Sequence, residues 1–258
     1  MSEIGISEIG IAVAVEARKA AASRVLPWTT GILGIGLAAL TGGLLAAAAA
    51  GDERVLARLG PLADAHGWAL LVGTAAQILA AGGFGACGIL IAWLYGREFA
   101  DGTVAGLFAL PVRRSSLALG KLLVFLAWAM IVAVGLTVLL AVLGIASGLP
   151  ASDPDGVSEL VRIPVLTLLT AFLAVPAGWV ASLARSVLAG IAATIVLLIV
   201  AQVCAVLGVG AWVPLVAPAL WAIAPETVPW PALLGVLAVP VAFGGAIAFT
   251  WARMQLDR

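Results

Sequence analysis

Charge is what this sequence lacks most. Lysine, arginine, aspartate and glutamate make up 10% of its 258 residues, and 13 basic side chains cancel 13 acidic ones. A water-soluble domain carries about a quarter charged residues, so the chain does not read as one. The zero balance points to neither nucleic acid nor an acidic partner, and no nucleic-acid partner is expected. Histidine is limited to His66. With a single histidine there is no metal-ligand spacing and no common base for a nucleophile–base triad. The two cysteines, Cys87 and Cys204, lie inside apolar stretches, where a free thiol packs as a small hydrophobe. A phosphate-binding loop is missing too. The one Gly-Lys pair, Gly120-Lys121, is followed by Leu122, and Ser115 stands where the loop's first glycine belongs. The chain therefore cannot hold ATP in the usual way. The N-terminus lacks the basic region of a cleavable signal peptide, since Glu3, Glu8 and Glu16 occupy that stretch.

Apolar residues fill the space left by charge, at 64% of the chain. Six apolar runs reach the length of about 18 residues that a membrane-spanning helix needs. They run from Trp28 to Ala50, Trp68 to Tyr95, Leu117 to Leu149, Ile163 to Leu183, Val187 to Val213 and Trp230 to Trp251. The third is long enough to tilt or protrude. Pro176 is expected to kink the fourth, because proline removes a backbone donor. No ionisable residue falls deep in any run. Gln77 and Gln202 are the most polar side chains there. That argues against a proton-coupled path and a charged-ring channel, but leaves room for an apolar or amphipathic substrate.

Orientation follows from the basic flanks. With both ends inside, Arg18, Lys19, Arg24, Arg97, Arg113, Arg114, Lys121, Arg185, Arg253 and Arg258 face the cytoplasm, against Arg54, Arg58 and Arg162 outside. Trp28, Trp68, Trp93, Trp230 and Trp251 fall near span ends, as interface aromatics do. Gly31, Gly34 and Ala38, and Gly82, Gly83 and Ala86, have the small-residue spacing that lets helices approach closely. The spacing suits packing within one subunit and a seam between two subunits equally.

Two segments outside the spans carry pattern. Residues 1–26 hold a repeated Ser-Glu-Ile-Gly-Ile, at Ser2–Ile6 and Ser7–Ile11. Glu16, Lys19 and Ser23 then follow at helical spacing among alanines. This reads as an amphipathic helix on the inner surface, stopped near Pro27. The alternation of Ile9, Ile11, Val13 and Val15 also suits a strand. The second segment, residues 96–116, joins spans two and three. Asp101-Gly102-Thr103 marks a turn, and Thr103 is placed to cap a helix. Val104, Leu107, Phe108 and Leu110 give an apolar stripe, Pro111 ends it, and Arg113 and Arg114 follow. The result is an amphipathic finger at the cytoplasmic face.

That finger resembles the signature of type-2 ABC transporter permeases, the export-type membrane subunits. The matching residues are Glu98, Phe99, Gly102, Thr103, Leu107, Pro111, Arg114 and Lys121. The six-span plan and the helix carrying Glu16 and Lys19 extend the likeness over most of the chain. The resemblance implies an all-α integral membrane protein forming one permease domain, residues 1–258. It implies an N-terminal interfacial helix, a cytoplasmic coupling helix between spans two and three, and short extracellular re-entrant helices between spans five and six. The stretch Ala211–Pro229, broken by Pro214, Pro218, Pro225 and Pro229, fits those last helices, or a bent continuation of span five. The implied partners are two ABC ATP-binding subunits and a second permease subunit, identical or different. ATP and magnesium would lie on the ATP-binding subunits, with no cofactor and no catalytic site on this chain. Glu98, Phe99, Gly102, Thr103, Pro111 and Arg114 become the coupling candidates, with Glu98 paired to a basic group on the partner or within the bundle. The expected location is a bacterial cytoplasmic membrane, surrounded by lipid. On the residues alone, an ATP-independent carrier or channel and a structural assembly protein remain as other readings.

Overall fold

The computed structural model describes residues 2–62, 64–109, 111–209 and 211–255, and the described residues form helices and turns without a strand. α1 spans Ser2–Ala22, so the repeated pentapeptide continues a helix and the strand alternative falls away. Ala12, Glu16 and Ala20 are its buried stripe, at intervals of four, and it packs along α7 (Arg114–Ala146). The approach is close. A Cβ on Gly120 of α7 would meet the Ala12 Cβ at 2.9 Å and its backbone carbon at 3.1 Å. α1 ends at a bend over Ser23 and Arg24, before Pro27, which sits in the first turn of α2 (Val25–Ala49). Proline there breaks no helical bond, because the first N–H groups of a helix have no intrahelical partner.

Among the described residues, six helical stretches are long and apolar enough to cross a membrane. After α2 comes α3 (Glu53–Leu59), whose Asp52 cap accepts from the Arg54 N–H at 2.9 Å. The second span is composite. α4 (Gly67–Ile78) passes through a π-helical turn, Leu79–Gly83, into α5 (Phe84–Ala100). α6 (Val104–Phe108) forms the finger, and α7 is the third span. α8 (Pro154–Leu160) leads to α9 (Arg162–Leu183), which stays helical through Pro176. α10 (Val187–Val206) starts on the Ser186 cap and stops at Gly208, φ +65°. It is therefore shorter than the apolar run suggests, because a left-handed glycine ends the helix before Val213.

The segment after α10 is not a bent continuation of it. α11 (Ala217–Ile223) folds back against α4 and α9, and Pro225–Thr227 makes a short 3-10 turn. The sixth span is broken into α12 (Trp230–Val236) and α13 (Ala238–Arg253). Pro240 accounts for the break, since it cannot donate back to the Val236 carbonyl.

α9 and the second span form the middle of the bundle and are the most buried of the six. α9 touches α5, α7, α10 and α13. Close packing is achieved by glycines other than those the spacing picks out. Side chains on Gly88 and Gly190 of α5 and α10 would overlap Thr194 and Ala92 respectively, and one on Gly96 would meet the Val187 backbone at 2.7 Å. Gly31 and Gly82 face open space instead. Two tryptophans read as interface aromatics belong to the core. Trp68 lies against Gly144 and Gly156 and donates to the Pro150 carbonyl at 3.2 Å. Trp251 is fully buried. Trp28 and Trp230 remain exposed.

Candidate functional site: a charged finger on a buried ion cluster

At about 1.5 Å per residue, α7 is roughly 50 Å long, against a hydrocarbon thickness of about 30 Å. The second span, at 34 residues, is equally long. Both therefore exceed the slab, and α1 packs along α7 and reaches the end of α5 through Glu16 and Arg97. Five charges converge there. Glu16 Oε2 accepts from Lys121 Nζ at 2.9 Å and from Arg97 Nη2 at 2.9 Å, while Glu16 Oε1 accepts from Lys19 Nζ at 3.0 Å. Glu98 Oε1 accepts from Lys121 Nζ at 2.5 Å and from Arg97 Nε at 3.3 Å. Lys121 and Glu16 are completely buried and Glu98 is 4% exposed. Lys121 is thus a cation held between two carboxylates, one on α1 and one on α5.

Such a cluster is stable only because every member is paired. An isolated ion in an apolar interior costs several kcal/mol. Burial by itself pushes the Glu16 carboxyl up. Lys121 and Lys19 outweigh that by charge and by hydrogen bonds, and hold it below its ordinary value of 4.5.

An aromatic layer lies on the inner side of the cluster. Trp251 of α13 meets Tyr95, Phe99 and Phe108 edge-on, with centroids 6.0, 6.2 and 5.9 Å away. Its indole N–H donates to Ser182 Oγ at 3.0 Å, and Lys121 Nζ sits 5.9 Å from its ring. Tyr95 donates to the Ala118 carbonyl at 2.7 Å.

The finger is built on this base. Gly102 takes φ +69°, which lets the chain reverse after α5 and return as α6. The Thr103 N–H donates to the Glu98 carbonyl at 3.0 Å. Thr103 precedes α6 as expected, but its hydroxyl makes no capping bond, because its backbone is already helical (φ −86°, ψ −4°) rather than extended. Leu107 is buried, Val104 and Phe108 are half-buried, and Leu110 lies outside the described residues. Arg114 stacks over Phe108, 4.2 Å from its centroid, and donates to the Met254 carbonyl.

The six residues predicted from sequence therefore separate into two sets. Glu98, Phe99 and Arg114 turn into the bundle, while Gly102, Thr103 and Pro111 face outward with Asp101, Ala105 and Gly106. The pairing partner of Glu98 is within the bundle. Sequence reasoning missed Arg97 and Trp251 as members of the site. Arg97 is readable as the neighbour of Glu98, but no pattern in the chain places Trp251 beside residues about 150 positions earlier.

A long second span ending in a finger, clamped beside a third span, invites comparison with known proteins. The profile of the ABC-2 family transporter protein matches residues 73–201, half of the chain. The chain belongs to that family. The matched stretch runs from α4 to α10 and contains the finger, Glu98 and Lys121. The comparisons found no matching curated protein and no matching solved structure. Family membership makes this chain a multi-pass membrane permease of an ABC transporter, a subunit type that is generally non-catalytic and pairs with an ABC ATP-binding subunit.

Proposed function

We propose that this permease is half of the membrane domain of an ATP-driven exporter, and that its finger receives the motion of a separate ATP-binding subunit. The assembly would hold two permease subunits, identical or different, and two ATP-binding subunits that bind ATP and magnesium. In this reading, Gly102, Thr103 and Pro111 present the docking face. Glu98, Phe99 and Arg114 transmit, because together they tie the finger to α1, α7 and α13. Glu98 is joined through Lys121 to α7 and α1, Phe99 reaches Trp251 on α13, and Arg114 reaches the α13 terminus. The observation that carries the reading is this anchorage in a family that works with ATP-binding partners. A finger fixed at its base by buried ion pairs moves with the spans rather than bending away from them.

The basic side-chain asymmetry supports placing the finger, both termini and Arg185 in the cytoplasm, where ATP is found. A bacterial cytoplasmic membrane is the proposed location. α11 and the turn after it lie at the far end of the bundle from the finger, which supports an extracellular cap. The test is affinity purification of the permease from native membranes. An ABC ATP-binding subunit at one copy per permease is the expected result. Substrate movement by the permease alone in liposomes, without ATP, overturns the proposal.

A further inference from the structure

The two glutamines stand out a second time in three dimensions. Gln77 on α4 and Gln202 on α10 are 125 positions apart in sequence, yet both line one cavity of about 400 Å³. Thr170 of α9 lines it as well. Its hydroxyl donates to the Leu166 carbonyl at 2.6 Å, which leaves its oxygen free to accept. Neither amide makes a hydrogen bond among the described residues. Gln77 is half-buried and Gln202 is exposed, so both amides are accessible to a molecule that enters the cavity. Two amides and a hydroxyl on a space lined otherwise by Ala, Leu, Val, Ile, Phe and Pro side chains are the few placed polar groups that orient a ligand in an apolar site.

The walls fit that purpose. The π-helical turn Leu79–Gly83 contributes Ala80 and Ala81, and the wider turn ends at Phe84, which also faces the cavity. Single π turns inside longer helices recur at functional sites. The roof is the returning helix α11, through Pro218 and Leu220. The volume lies in the range of small-molecule sites, which are mostly apolar with a few placed polar groups. None of the lining residues is ionisable, so a charged ligand would stay unpaired there.

We propose that this cavity binds a neutral amphipathic molecule, with a hydrocarbon body and a hydroxyl, carbonyl or amide group held between Gln77, Thr170 and Gln202. The proposal names a substrate class for the exporter and rests on the permease reading. Binding itself needs no ATP-binding subunit, so the two readings fail separately.

The experiment uses the purified full chain in lipid nanodiscs and a photoreactive diazirine derivative of decanol, with labelled residues mapped by mass spectrometry. Label is expected on Phe84, Leu220 and their neighbours, displaced by decanol but not by decanoate or decyltrimethylammonium. Gln77→Leu and Gln202→Leu each weaken displaceable labelling by roughly fivefold, the equivalent of about one net hydrogen bond. Ala81→Phe, which fills the cavity from an apolar wall, removes it. Equal displacement by decane or by the charged competitors overturns the proposal. So does label spread evenly over the outward-facing Ile131 and Val138 of α7, or labelling unchanged in all three variants. A negative result with an ATP-binding subunit still co-purifying would reject the cavity and leave the permease assignment standing.

Discussion

Lys121 is the residue on which the site depends. Its ammonium is completely buried and serves Glu16 and Glu98 at once. Lys121→Met leaves both carboxylates in the bundle with Arg97 and the half-exposed Lys19 as their remaining partners. Removing one member of a buried ion group costs about 3–5 kcal/mol, so the variant is expected to melt well below the parent in a fluorescence-detected thermal scan. Glu98→Gln should move the same way, and parental melting in both would remove the cluster from the account of stability. Glu16 adds a pH dependence. Its folded pKa lies below the ordinary 4.5, so its contribution is present above that value and is lost only as pH falls through the lower folded value. A reporter cysteine at Ala12, in a Cys87→Ala, Cys204→Ala background, should stay protected from thiol reagents from neutral pH through the ordinary carboxylate range. It should become reactive at more acidic pH. Reactivity already at neutral pH would contradict α1 docking.

Among elements, the contact of α5 with α10 is set by absent side chains. Gly88 leaves no room for a Cβ beside Thr194, and Gly96 lets the Val187 backbone approach. Gly88→Val should force these helices apart and destabilise by about 1–3 kcal/mol. Gly82→Ala, which meets open space, should leave melting unchanged. Equal effects of the two would mean that the α5–α10 approach is looser than described. The spans themselves were legible from apolar run length, since lipid imposes a minimum that a sequence must meet. Their internal breaks were not. The π turn in the second span holds no proline, and its Gly82-Gly83 pair reads equally well as small-residue helix packing; the division at Leu237 follows from Pro240, which can also be tolerated inside a helix, as Pro176 is in α9.

For the whole molecule, the division of the finger into an outward and an inward set makes opposite predictions for neighbouring residues. Gly102→Val strains a left-handed turn, and Asp101→Lys reverses a charge on the exposed face. Both should reduce ATP-dependent transport and recovery of the ATP-binding subunit while the permease melts normally. Glu98→Lys should instead lower the yield of folded protein, because it places a third cation against Lys121 and Arg97 in a buried site. Normal transport by the two outward variants would show that the partner docks elsewhere.

Apolar content, six spans, their basic-side bias and the position of the finger were determined by the sequence alone, because each depends on local composition and on distances along one helix. The tertiary structure decided which charges of the finger face inward. It brought Glu16 to Lys121 across 105 positions and Trp251 under Phe99. It also joined Gln77 and Gln202 in one cavity. These pairings arise where long helices cross, and a crossing is fixed by how whole surfaces pack, which no single segment encodes.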